Sequence, residues 1–137
     1  MAVFDRSSEI KPVNALNHAT ISSDTTTAGV IIDTYGYDSV TFILRTGAYT
    51  AGNVTPLIQD GDDSALGDAA AVSDDFLIGT EAAAALSAAN KTSKIGYVGK
   101  KRYVRLSAVT ASSANLGVGA IAILGDARTL PESDQTP

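Results

Sequence analysis

Val40, Phe42 and Leu44 fall on one side of an extended chain, and Thr41, Ile43 and Arg45 fall on the other. That period-2 alternation suits a half-buried β-strand and excludes an amphipathic helix over the same residues. The pattern recurs in variants along the chain. Thr25 to Asp33 is β-branched almost throughout, Val54 to Gln59 and Ile95 to Val98 are short apolar runs, and Tyr103 to Leu106 alternates large polar with apolar side chains. Leu116 to Leu124 is apolar on both faces, as a strand buried on both sides would be. Turn formers separate these runs at Ser23-Asp24, Tyr35 to Asp38, Gly47 to Asn53, Asp60 to Ser64 and 111–115. Roughly seven to nine short strands with turns between them predict an all-β fold, a β-sandwich or barrel.

Within that frame Pro56 assigns the 54–59 strand to a sheet edge, because proline removes a ladder donor. Glu81 to Ala89 is alanine-rich behind Thr80, a residue type suited to an N-cap, and fits a brief helix or an extended segment. The polar segment 1–12 ends at Pro12 and reads as a flexible N-terminal arm. Residues 13–127 form the predicted sandwich domain. Residues 128–137 form a polar, proline-bounded, flexible C-terminal tail. At 137 residues the chain fits one domain.

Several chemistries are disfavoured at once. No cysteine is present, which rules out disulfides, zinc-thiolate sites and thiol nucleophiles. Asp5, Arg6, Glu9 and Lys11 interrupt the start of the chain, so neither a secretory signal nor a membrane span is expected, and folding in a cytoplasm is. A net charge of −5 argues against a nucleic-acid partner, since phosphate neutralisation needs a basic face. His18 is the only histidine and no serine sits in a nucleophile elbow, so a non-enzymatic protein is expected, with no cofactor.

Three motif matches fail on their physics. Gly117, Gly119 and Ala122 fit the dinucleotide fingerprint in spacing, but the run looks like strand and no acid follows at the required distance. Asp60, Asp62, Ser64, Leu66 and Asp68 match the odd positions of a calcium loop, whereas Ala65 and Ala71 stand where glycine and a bidentate glutamate are needed. A solvated acidic loop is the simpler assignment. Asn53-Val54-Thr55 and Asn90-Lys91-Thr92 match the glycosylation sequon without a secretory context.

Charge is strongly segregated. Seven acids and no base lie between Thr46 and Asn90, and six bases and no acid lie between Lys91 and Arg105. The two blocks either fold against each other within a subunit, where exposed pairs contribute little, or dock copies and partners. The candidate interaction residues are Lys100, Lys101, Arg102 and Arg105 on the basic side and Asp60, Asp62 and Asp63 on the acidic side. Lys94 to Arg105 reads as strand, tight turn and strand, with Tyr97 and Tyr103 capping a sheet in preference to stacking on bases.

Gly96-Tyr97-Val98-Gly99-Lys100-Lys101-Arg102-Tyr103-Val104-Arg105, followed by the close from Ala120 to Gly125, resembles small virion structural proteins of tailed bacteriophages. Several of these are head decoration or cement proteins with jelly-roll or related β-sandwich folds. The resemblance implies a jelly-roll-like sandwich at the capsid surface of a virion, made in the host cytoplasm. It also implies binding to the major capsid protein and to copies of itself as a dimer or trimer. A receptor- or carbohydrate-binding sandwich of a phage tail or fibre is the alternative.

Overall fold

The computed structural model describes residues 5–129. Among these are eight strands: β1 (Lys11–Ile21), β2 (Thr26–Thr27), β3 (Ile32–Asp33), β4 (Tyr37–Gly61), β5 (Ala70–Ala71), β6 (Leu77–Ile78), β7 (Thr92–Tyr97) and β8 (Tyr103–Ala127). Single 3-10 turns occupy Ser7–Glu9 and Asp74–Phe76. Residues 1–4 and 130–137, within the expected arm and tail, lie outside the described residues. Pairing begins at Lys11 opposite Leu124 and Pro12 opposite Ile123, so the first strand starts inside the segment read as an arm.

β4 and β8 organise the molecule. Each runs 25 residues, and they pair antiparallel from Tyr37 opposite Ala127 to Gly61 opposite Tyr103. The breaks expected at 47–53 and 111–115 are bends inside these strands, marked by register slips between Thr46 and Asn53. Gly52 takes a positive φ of 85° at one bend, and Ser112 and Ser113 take 65° and 58° at the other. Asp24 clamps the second bend, its carboxylate accepting the N–H groups of Ser113 (3.1 Å) and Ala114 (2.8 Å).

The bends fold the sheet back on itself. In a straight strand Val40 and Asp60 would lie about 65 Å apart. Yet Tyr97, paired opposite Val40, donates its hydroxyl to Asp60 at 2.6 Å. The two halves of β4 therefore face each other across a core, as a sandwich. One face carries β1, the second half of β8, the first half of β4, then β7 and β6. The other carries β2 and β3, the first half of β8, the second half of β4, then β5.

Alternation then sets the interior. Val40, Phe42 and Leu44 from the first sheet meet Val54, Ile58, Val104 and Leu106 from the second in one buried cluster. Each such side chain contributes about 1.5–3 kcal/mol on burial. At one side of the sandwich Val30 donates its N–H to the Ala15 carbonyl at 2.8 Å. A Cβ on the adjacent Gly29 would stand 2.0 Å from the Leu106 oxygen and 2.4 Å from that of Ala15, so only glycine fits.

Two expectations change, and the choice left open for Glu81 to Ala89 is decided. The Lys94 to Arg105 segment is no hairpin: β7 pairs with β4 in the first sheet, and residues 98–102 cross to β8 in the second. A glycine-bounded basic turn serves a crossover as well as a hairpin. Thr25 to Asp33 forms two two-residue strands, since Val30 bonds to β1 between them. The alanine-rich stretch is a single turn capped by Thr80, whose Oγ1 accepts from the Ala83 N–H at 3.1 Å, after which Leu86 exchanges two backbone bonds with Val54. Pro56 shares its side of β4 with Val54 and Ile58, whose N–H groups turn away from β8 to Leu86 and to Glu81. Its missing donor thus falls on the side of the strand that faces away from β8, where no continuous ladder is lost.

Candidate functional site

Two surfaces carry the chemistry. The first is the end of the sandwich where residues 98–102 cross over the acidic loop that follows β4. Tyr97 lies at the end of β7, 5% exposed, and its hydroxyl both donates to Asp60 (2.6 Å) and accepts the Lys101 N–H (3.2 Å). Burial, then the Asp60 carboxylate, pushes the phenol's pKa well above its ordinary value, so it stays a donor. Lys101 closes an ion pair with Asp62. Arg102 makes a forked pair with Asp33, at 2.8 and 2.7 Å, and its guanidinium lies over the rings of Tyr35 and Tyr103 at 4.8 and 5.1 Å. That hydrogen-bonded guanidinium holds the Asp33 carboxyl below the usual carboxylate range.

The acidic loop is folded by its own side chains. Asp63 accepts from the N–H groups of Ala65 (3.2 Å) and Gly67 (2.9 Å), and Asp68 accepts from those of Asp62 (2.9 Å) and Asp63 (3.2 Å). The calcium-like spacing therefore does not converge: Asp60 turns to Tyr97, Asp62 to Lys101, and Asp63 and Asp68 to the backbone. Among the described residues no group of three or more His, Cys, Asp or Glu side chains is placed to hold a metal ion.

Of the candidate residues chosen from sequence, Asp60, Asp62, Lys101 and Arg102 are engaged within the subunit. Arg105 donates to the Gln59 side-chain oxygen on the neighbouring strand at 2.8 Å and pairs with no acid among the described residues. Lys100 is exposed with no ion-pair partner among the described residues. The segregated charge blocks thus meet, in part, inside one molecule.

The second surface is the outer face of the first sheet, which sequence reasoning did not single out. Cross-strand register places Ile78, Gly96, Thr41, Ile123 and Pro12 in one row, and Lys94, Ile43, Ile121 and Asn14 in the next. Ile78 is 65% exposed and Ile121 44%. Arg45 and Lys94 stand at the rim with no acid paired to them among the described residues. Two shallow grooves cross the face, one of about 260 Å³ between Ile43, Arg45 and Ile121, the other of about 410 Å³ along Thr41, Lys94 and Ile78. His18 lines the first of them and packs against Gly117 and Gly119, where a Cβ would come within 3.1–3.3 Å of it. The glycine pattern that resembled a nucleotide fingerprint makes room for this ring.

Neither a protein-family model nor a curated protein matches the sequence. The fold is shared with solved structures. The SPBc2 prophage-derived protein YomS aligns over 90% of this chain and 97% of its own, with a TM-score of 0.52 and 12% identity. The PBSX exported protein XepA aligns over 99% of this chain with a TM-score of 0.55 and 15% identity, and this chain spans 44% of XepA's length.

Proposed function

We propose that this chain is a non-enzymatic structural protein of a tailed-phage particle, bound to the capsid surface as a decoration or cement protein. The observation that carries the reading is the outer face of the first sheet, where isoleucines stand exposed beside Arg45 and Lys94, two cations with no ion-pair partner among the described residues. An apolar centre with a polar rim is the anatomy of a protein interface. Support also comes from the fold shared with YomS, a prophage-derived protein that this chain matches along nearly its whole length. The interleaved pairing of β1, β8, β4 and β7 on one face and β2, β8, β4 and β5 on the other suits a jelly-roll scaffold.

On this reading the partners are the major capsid protein and further copies of the chain. Many modest contacts repeated over a lattice give tight holding without a single strong site. Cryo-electron microscopy of the parent particle tests it. Density for this chain on the head lattice is the expected result. Density confined to the tail would transfer the chain to the receptor- or carbohydrate-binding alternative, and absence from the particle would remove both.

A further inference from the structure

We infer that the outer face of the first sheet receives an acidic, phenylalanine-tipped corner of a second copy of this chain, so that copies associate head to tail. The corner is the one-turn helix Asp74–Phe76 between β5 and β6. Phe76 is 46% exposed there, and neither Asp74 nor Asp75 has an ion-pair partner among the described residues. The groove on the face offers the complement, with Ile43 and Ile121 as apolar walls, Arg45 beside them, and Lys94 paired opposite Ile43 in the adjoining groove; neither cation has an ion-pair partner among the described residues.

Charge complementarity selects the occupant. Two faces apposed symmetrically would gather Arg45 and Lys94 from both copies, four cations, into one interface. The corner brings carboxylates to those cations and a ring to the isoleucines. One copy does not satisfy itself, because Ile78 on β6 is separated from Ile121 on β8 by β7 and β4, about 14 Å across three strand spacings. A contact between unlike patches is heterologous and builds a closed ring or an open chain. The inference deepens the reading above by naming which surface meets a copy, but it is measured without particles, so either can fail while the other stands.

Sedimentation velocity on the full chain, over a series of concentrations and salt levels, tests it. Association is expected, weakening as salt rises. Asp74→Lys/Asp75→Lys and Arg45→Glu/Lys94→Glu should each weaken it at least about tenfold, with unchanged thermal melting as the folding control. An equimolar mixture of the two should restore association, each supplying the half the other lacks. Phe76→Ser, which leaves every charge in place, should also weaken it. A wild-type chain that stays monomeric throughout, or association that persists in Asp74→Lys/Asp75→Lys as a symmetric face-to-face dimer would, overturns the inference.

Discussion

The crossover end and the outer face of the first sheet both concentrate conspicuous side chains, but they differ in what those side chains do. At the crossover end the carboxylates, guanidinium and phenol are turned on one another: Tyr97 to Asp60, Lys101 to Asp62, Arg102 to Asp33. On the outer face Arg45, Lys94, Ile43 and Ile121 are left without such partners among the described residues. A dense block of charge in a sequence therefore points to the fold as readily as to a partner. What marks an interaction surface is the side chain that its own fold leaves unengaged.

The largest effect that sharpens this contrast is on stability at the crossover end. Tyr97→Phe removes a hydroxyl that joins the two halves of the sandwich and leaves the Lys101 N–H without its acceptor. A loss of about 1–3 kcal/mol is expected in urea unfolding, with self-association unchanged. A loss of association at full stability would reverse the roles assigned to the two regions.

A smaller effect comes from Asp33. Its folded pKa lies below its unfolded value, so the Arg102 pair stabilises the protein above the carboxylate range and that contribution disappears as pH falls through the folded pKa. The pair is largely exposed, so the effect is modest. Asp33→Asn should flatten the acid limb of melting temperature against pH, while leaving the neutral limb nearly parallel to wild type. An unchanged acid limb would mean that the fork does not hold the crossover in solution.

Much of the scaffold was legible because alternation is local. The faces of residues 40–45, the inward Val104 and Leu106, and the placing of Pro56 where no continuous ladder is lost follow from neighbours in sequence. The bends were not legible, since Gly47 to Asn53 and Ser112-Ser113 look like loops, and only the pairing of Tyr49 with Leu116 and Ala51 with Asn115 keeps them in the sheet. Nor could the segment around Gly99 announce a crossover, because β4 inserts beside β7 from more than forty residues upstream. The outer face was hidden for a related reason. Val40 and Ile43 are both apolar on opposite sides of one strand, and which side is covered depends on Ile121 and Ile78 arriving on strands distant in sequence.

The contrast rests most directly on Ile43→Thr/Ile121→Thr, which keeps β-branched residues in both strands while adding a hydroxyl on the outer face. Thermal unfolding and sedimentation velocity measured on the same samples decide it. Stability within about 0.5 kcal/mol of wild type, with self-association at least about tenfold weaker, is the predicted result. Unchanged association, or a loss of stability comparable to that of Tyr97→Phe, would contradict the assignment of this face to contact between molecules.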